Sequence, residues 1–123
     1  MNADVETITI NGVEYVKKGA EPMMAERVDG LTYVTVRTLS AGVFAGYMFS
    51  RNGQEINLRN ARRLWYWEGA ASLSQMATSG SSKPGACKFP AEVPNVLLTQ
   101  AIEVLEVTAE AKSQIAQVPV WRA

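Results

Sequence analysis

The sequence predicts an α+β fold: an antiparallel β-meander or half-barrel of five to seven strands, with two short helices in the C-terminal half. Three turn pairs support the strands, because Asn11-Gly12, Asp29-Gly30 and Asn52-Gly53 each separate segments rich in β-branched and aromatic residues. Hydroxyl residues that suit helix N-caps, Ser72 and Thr108, support the helices. The 123 residues are 47% hydrophobic, which suits a single domain, residues 1–123, with its own core.

Each turn pair predicts a hairpin, since a type I′ turn needs φ > 0 at both central residues and Asn-Gly or Asp-Gly adopts it readily. The first hairpin is expected to pair residues 7–10 with 13–16. The second is expected to pair residues 23–28 with 31–38, and the third to pair residues 43–51 with 54–60. Together they predict a meander.

Side-chain alternation predicts an irregularity in the last of these strands. From Ile56 onward the even positions include Ile56 and Leu58, which suit a core, and then Arg62, which does not. A bulge or bend near Asn60-Ala61 resolves the conflict, because it moves the following side chains to the opposite face.

The C-terminal half contains two helix signals and one ambiguous segment. Ser72 to Gln75 is a capping-box pattern, and Gly80 is expected to end that helix. Residues 96–107 satisfy both helical and strand spacing; we favour a strand that ends near Val107. Thr108 is expected to cap a helix over residues 109–117, with Glu110 in its first turn.

The composition argues against several classes of function. The chain has no histidine and one cysteine, so it has no Ser-His-Asp triad, no Cys-His pair and no zinc site of the usual kind. We therefore expect a protein that is not an enzyme and that carries no metal and no cofactor. The N-terminus lacks the pattern of a signal peptide and no apolar run could span a membrane, so we expect a product of the host cytoplasm that does not bind membranes.

The middle of the chain is basic and aromatic although the total net charge is zero. Residues 37–67 contain five arginines against one glutamate, a balance of +4, and two of the three tryptophans. Arginine forks match phosphate oxygens and stack on planar bases, so this stretch suits a compact phosphorylated molecule. A long nucleic acid is unlikely, because zero net charge disfavours it. The plainer interpretation is a hairpin with solvated arginines and core tryptophans.

A small-residue segment, 40–46, follows the predicted second hairpin. Its two glycines and small neighbours would let a ligand approach the backbone, and successive amides can hold a phosphate. The alternative is a tight turn with a close strand crossing. The apolar tail 118–121 is expected to dock on its own sheet or on a second subunit, which makes a homo-oligomer through the tail near Trp121 a reasonable expectation.

Several strings of the sequence resemble a group of small phage and prophage proteins: RTLSAGVFAGYMFSRNGQEINLRNARRLWYWEGAASLSQMA, then GACKF, AIEVLEVTAEAKSQI and VPVW. The group is similar to the first type of phage Thoeris anti-defence proteins, which sequester cyclic ADP-ribose-type immune signals without cleaving them. The resemblance implies oligomers with signal pockets at subunit interfaces and, in some members, sites for cyclic oligonucleotides. The sequence departs from some relatives at Thr38-Leu39, where they carry more polar or charged residues.

The leading hypothesis is a phage anti-defence binding protein that sequesters a cyclic ADP-ribose-type or cyclic oligonucleotide immune signal. Three arginines would hold phosphates, aromatic rings would stack on bases, and the small-residue segment would line the pocket. The candidate site residues are Arg37, Ser40, Ala41, Gly42, Val43, Phe44, Gly46, Asn60, Arg62, Arg63, Trp65, Trp67 and Phe89. The alternatives are a structural or accessory phage protein that acts through protein–protein assembly, and a protein that binds single-stranded nucleic acid.

Overall fold

A computed structural model describes Thr7–Ile10, Val13–Val16 and residues 22–123. The strands are β1 (Thr7–Ile10), β2 (Val13–Val16), β3 (Thr32–Thr38), β4 (Val43–Asn52), β5 (Glu55–Arg63), β6 (Val93–Leu98) and β7 (Ala101–Glu106). The helices are α1 (Leu73–Thr78) and α2 (Ala109–Gln117), and a 3-10 turn covers Pro84–Ala86. The predicted α+β class with an antiparallel sheet and two helices in the C-terminal half is confirmed.

The main sheet has five antiparallel strands in the order β6-β5-β4-β3-β7, and β1 and β2 form a separate two-stranded sheet. The β1–β2 pairing matches the first predicted hairpin, with Ile10 opposite Val13; its turn, Asn11-Gly12, lies outside the described residues. The predicted meander is present only in part: β3, β4, β5 and β6 are neighbours in chain order, whereas β1 and β2 are not in this sheet.

The sheet curls strongly, because its two edge strands are covalent neighbours. β6 and β7 lie at opposite edges, yet only Thr99 and Gln100 connect them. Consecutive Cα atoms are about 3.8 Å apart, so the ends of the edge strands lie within about 11 Å of each other. The hairpin between β4 and β5 closes over the same corner, where the Ala101 amide donates to the Gln54 carbonyl at 3.0 Å. The result is an open sheet rolled towards a barrel.

Rolling the sheet produces two cores, one on each face. The inner core lies inside the curl and includes Val36, Ile56 and Leu58. The helix-side core lies between the sheet and the two helices and includes Met76, Phe89 and Ile115. Residues 33–36 of β3 and 44–47 of β4 are buried on both faces of the sheet, and these two segments consist mostly of apolar and small residues.

The predicted irregularity at Asn60-Ala61 is confirmed as a β-bulge. Ala45 pairs with Arg62 and Tyr47 pairs with Arg59, so one more residue is present on β5 than on β4. Asn60 accommodates it with a left-handed φ of +50°. The bulge reverses the alternation, so that Ile56 and Leu58 point into the inner core whereas Arg62 lies on the helix side.

Three predicted boundaries were wrong. Residues 23–28 form only isolated bridges at Met24 and Val28, because both edges of β3 are already occupied by β4 and β7. The third turn comes one residue late: Asn52 still pairs with Glu55, and of Asn52 and Gly53 only Gly53 takes a positive φ. Residues 96–107 are strand, as favoured, but are divided by Thr99 and Gln100 into the end of β6 and the whole of β7.

The helix caps are as predicted. The Ser72 hydroxyl accepts a hydrogen bond from the Gln75 amide at 3.2 Å, and the Thr108 hydroxyl accepts one from the Ala111 amide at 3.0 Å. Gly80, with φ of +72°, follows the end of α1. Among the helices of the described residues, none has the length and apolar content needed to cross a membrane.

Thr35 provides a test of the helix-side packing. Its hydroxyl is fully buried on β3 and is the one buried side-chain oxygen or nitrogen in the described residues without a hydrogen-bond partner. We expect Thr35→Val to raise the free energy of unfolding by about 1 kcal/mol, because it removes an unsatisfied buried polar group at nearly constant shape. Urea denaturation measures the change.

Thr38→Val is the matched control on the same strand. The Thr38 hydroxyl donates to the Gly42 carbonyl at 2.7 Å and accepts from the Ala41 amide at 2.8 Å. This substitution should lower the free energy of unfolding by about 1 kcal/mol. If Thr35→Val instead lowers the free energy of unfolding by as much as Thr38→Val does, the Thr35 hydroxyl has a hydrogen-bond partner.

Candidate functional site

The arginines of the middle stretch do not converge on one place. Arg62 is buried, and four of its N–H groups donate to backbone carbonyls: Nε to Pro90 at 2.9 Å, Nη1 to Ile115 at 2.9 Å, and Nη2 to Phe89 at 3.1 Å and Val118 at 2.6 Å. Two of these carbonyls belong to the C-terminal end of α2 and the residue after it. Arg62 thus ties β5 to the end of α2.

Arg62 is also held in an unusual electrostatic setting. Burial lowers the pKa of its guanidinium, whereas Tyr33 and Glu92 raise it. No hydrogen bond joins it to a carboxylate within the described chain; its partners are carbonyl dipoles and the Phe89 ring, 5.4 Å from Cζ. An arginine stays charged in such a setting, so the fold contains a buried cation stabilised by dipoles.

Arg63 and Arg37 lie elsewhere. Arg63 Nη1 donates to the Ala41 carbonyl at 2.5 Å, and its guanidinium lies 4.3 Å from the centre of the Phe44 ring. Arg37 is exposed and pairs with Glu103 on β7, with 2.9 Å between Nε and Oε1. Arg37, Arg62 and Arg63, which were predicted to hold phosphates, therefore each bind a different set of protein groups.

The small-residue segment forms a compact turn. The Thr38 hydroxyl closes it through Gly42 and Ala41, the Ser40 hydroxyl donates to Gln100 at 2.7 Å, and Gly42 takes a φ of +92°. Val43 begins β4 against the helix-side core, and Phe44 belongs to the inner core.

Gly46 marks a close approach of β4 and β5. A Cβ atom there would lie 3.0 Å from the Ala61 Cα atom and 3.1 Å from the Arg59 carbonyl oxygen. The glycine is therefore explained by the strand contact beside the bulge, which is the alternative given for this segment from the sequence.

The aromatic candidates divide between core and surface. Phe89 is fully buried and Trp67 packs against the helix-side core. Trp65 is 63% exposed and stacks on Trp121, with ring centres 6.4 Å apart and an angle of 7° between the planes. The tail therefore docks on its own chain, one of the two expectations for it.

A cavity of about 310 Å³ lies between the sheet and α2. It is lined by Tyr33, Tyr47, Asn60, Arg62, Glu92, Lys112, Ile115, Ala116, Val118 and Val120. Of the sequence-predicted site residues, only Asn60 and Arg62 line it. Its volume lies at the lower end of the range for small-molecule sites, about 300–1,000 Å³. We call it the tyrosine cavity.

Two tyrosine rings and a lysine give the tyrosine cavity its character. Tyr33 and Tyr47 are opposite one another on β3 and β4, with ring centres 5.0 Å apart in an edge-to-face arrangement. The Lys112 ammonium, on α2, lies 5.3 Å from the Tyr33 ring centre and 5.7 Å from that of Tyr47. Burial raises the pKa of the Tyr33 phenol, and the negative charge of Glu92 raises it further. This hydroxyl therefore stays protonated and can donate a hydrogen bond.

Three polar side chains at the tyrosine cavity have no polar partner in the part of the chain that the structure describes. The side chains of Asn60, Glu92 and Lys112 form no hydrogen bond or ion pair with any other described residue. Sequence reasoning missed Tyr33, Tyr47, Glu92 and Lys112 because they come together only through strand register and the docking of α2. The sequence contains one weak signal for this site, a tyrosine in each of the two strands that pair as β3 and β4.

A second cavity, of about 410 Å³, lies where the β4–β5 hairpin meets β7. It is lined by Arg51, Gly53, Gln54, Ile56, Ala101, Ile102, Glu103 and Val104. It lacks aromatic side chains, and Glu103 is already paired with Arg37. Within the described residues no group of three or more Cys, Asp or Glu side chains is placed to hold a metal ion.

Replacing Arg62 should destabilise the protein strongly. We expect Arg62→Ala to lower the free energy of unfolding by about 3 kcal/mol or more, because it removes four hydrogen bonds from a charged donor, and the Pro90 and Val118 carbonyls have no other donor among the described residues. The control is Arg37→Gln, which breaks the exposed ion pair with Glu103. It should change the free energy of unfolding by less than about 1 kcal/mol. Chemical denaturation of both variants tests the difference, and similar losses would contradict the structural role given to Arg62.

One family model matches the sequence, over residues 31–115; its description is "Domain of unknown function (DUF6948)". No curated protein and no solved structure matches the chain. The matched span contains the five-stranded sheet, α1 and most of α2, including every side chain of the tyrosine cavity up to Ile115. Since it covers well over half of the 123 residues, the chain belongs to the DUF6948 family.

Proposed function

We propose that this protein is a binding protein, without catalytic activity, for a small molecule held in the tyrosine cavity. One observation carries the proposal: two tyrosine rings, an ammonium group, an amide and a carboxylate surround a single cavity of about 310 Å³. A cavity with aromatic walls and a few uncommitted polar groups is the usual form of a small-molecule site.

The charges and rings favour a planar anion as the ligand. Lys112 and Arg62 contribute two cations against the single carboxylate of Glu92. Because four N–H groups of Arg62 already donate to backbone carbonyls, Lys112 is the cation that would bind an anionic group. A nucleotide supplies both features, with a base against the tyrosine rings and a phosphate at Lys112.

The specific ligand we propose is the one that the sequence resemblance implies. It is a cyclic ADP-ribose-type or cyclic oligonucleotide immune signal, sequestered in the host cytoplasm by a phage anti-defence protein. The tyrosine cavity would take one base and its phosphate, and the rest of such a ligand would extend past Val120 to the surface. This version replaces the predicted arginine cluster with Lys112 and the tyrosines.

Isothermal titration calorimetry tests the proposal. The titrants are cyclic ADP-ribose isomers, cyclic di- and trinucleotides and nucleoside monophosphates. We expect at least one to bind, and Lys112→Gln to weaken its binding at least about tenfold, because a charge-assisted hydrogen bond is lost. Lys83→Gln, which removes an exposed lysine that does not line the cavity, is the matched control and should leave the affinity unchanged.

Two outcomes would count against this function. If none of the titrants binds, nucleotides are excluded as the class of ligand. Equal affinity of the Lys112→Gln and unaltered proteins would move the site away from the tyrosine cavity. Thermal melting of both lysine variants shows whether a loss of binding reflects a loss of fold.

A second candidate is the structural or accessory phage protein that acts through assembly. It is favoured by exposed apolar side chains on the two edge strands, Leu97 on β6 and Ile102 on β7, together with the tail near Trp121. Exposed edges invite strand pairing with another chain. Light scattering over a range of concentrations tests self-association: a Leu97→Lys, Ile102→Lys double variant should stay monomeric where the unaltered protein forms a homo-oligomer.

A further inference from the structure

An aromatic surface lies beside the C-terminal tail, and none of its residues lines the tyrosine cavity. It consists of Trp65, Tyr66 and Trp121, which are 63%, 44% and 44% exposed, together with the Lys88 side chain. The Lys88 ammonium lies 5.5 Å from the Tyr66 ring centre and 5.7 Å from that of Trp121. We call it the tryptophan platform.

Backbone hydrogen bonds fix the position of the tryptophan platform. Tyr66 and Lys88 exchange amide–carbonyl bonds of 3.3 and 2.8 Å, and the Trp121 amide donates to the Phe89 carbonyl at 3.0 Å. The two indole rings are then parallel to within 7°. The rings are thus held in place before any partner arrives, which lowers the entropic cost of binding.

Two cations, Lys88 and Arg122, and one carboxylate, Glu68, belong to the tryptophan platform or are next to it in the chain. Lys88 lies between two of the rings, and Arg122 follows Trp121 along the chain and is exposed. The nearby carboxylate of Glu68 already accepts a hydrogen bond from the Tyr66 hydroxyl at 2.8 Å. Exposed rings with adjacent cations suit a partner that has both flat faces and negative charge.

A second copy of this chain fits the tryptophan platform less well. Three half-exposed aromatic side chains offer on the order of 300 Å², taking roughly 200 Å² for a whole ring system. A stable interface buries about 800 Å² on each partner. Two copies would also bring two basic patches together, since a two-fold interface uses the same surface of both subunits.

We propose that the tryptophan platform binds single-stranded nucleic acid, with bases stacked on Trp65, Trp121 and Tyr66 and the backbone phosphates beside Lys88 and Arg122. Stacking on aromatic rings flanked by cations is the general mode of single-strand binding. Three rings can stack on two or three bases, and so short a contact needs no extended basic groove on a chain of zero net charge. This site is separate from the tyrosine cavity and does not rest on the function proposed there.

Fluorescence anisotropy with labelled 15-mers of deoxythymidine and of uridine tests the proposal at low salt. We expect binding of one or both, and Trp121→Ala and Trp65→Ala should each weaken it at least about fivefold, the lower end of the effect of losing one stacked base. Trp121→Phe keeps a ring and should retain most of the affinity. Lys88→Gln should reduce the slope of the logarithm of the binding constant against the logarithm of salt concentration by about one, because one phosphate contact is lost.

Phe49→Ala is the matched control, because Phe49 is an exposed aromatic with an arginine over its ring but lies on β4. It should bind the oligonucleotides as the unaltered protein does. No binding of either 15-mer, an equal loss in Phe49→Ala, or a Trp121→Ala variant that binds normally would each overturn the proposal. Concentration-dependent dimers abolished by Trp121→Ala, without oligonucleotide binding, would assign the surface to a second copy instead.

Discussion

One buried cation holds three of the segments around the tyrosine cavity against β5. The Arg62 guanidinium projects from β5 and binds carbonyls of the 89–90 segment, the last turn of α2 and the start of the tail. A guanidinium has five N–H groups in a fixed plane, so it can hold several chain segments at once where a lysine could not. The negative end of the α2 dipole adds to its stabilisation. The same arrangement explains why a charge can be buried here without a carboxylate partner.

The β-bulge at Asn60 is what directs Arg62 to that side. If β5 were an unbroken strand of the same residues, Arg62 would continue the row of Ile56 and Leu58 and enter the inner core. The left-handed backbone of Asn60 is uncommon for a residue with a side chain, and asparagine is among the few types that adopt it readily. A local irregularity in one strand therefore separates an apolar core from a polar cavity.

Local signals in the sequence were sufficient for much of the fold. The first and third turn pairs located hairpins, the third to within one residue, whereas Asp29-Gly30 predicted a strand over residues 23–28 that does not form. Hydroxyl residues located both helix starts, and broken alternation located the bulge. The site was harder, because arginines in one stretch of sequence need not share one place in space: alternation and the bulge send Arg62 and Arg63 to opposite faces. Tyr33, Tyr47 and Lys112 are far apart in sequence and meet through strand register and helix docking, which no short motif encodes.

The two-residue link between the edge strands has a consequence for how the chain folds. β3, β4 and β5 can pair as they leave the ribosome, but one edge of β3 stays open until β7, which joins it through pairs such as Arg37 and Glu103, 66 residues apart. Contacts of such long sequence separation form slowly, and an open edge is a template for pairing with other chains. The turn at Thr99 and Gln100 brings β7 to that edge as soon as β6 docks. The short connection therefore shortens the time in which the nascent sheet is exposed to aggregation.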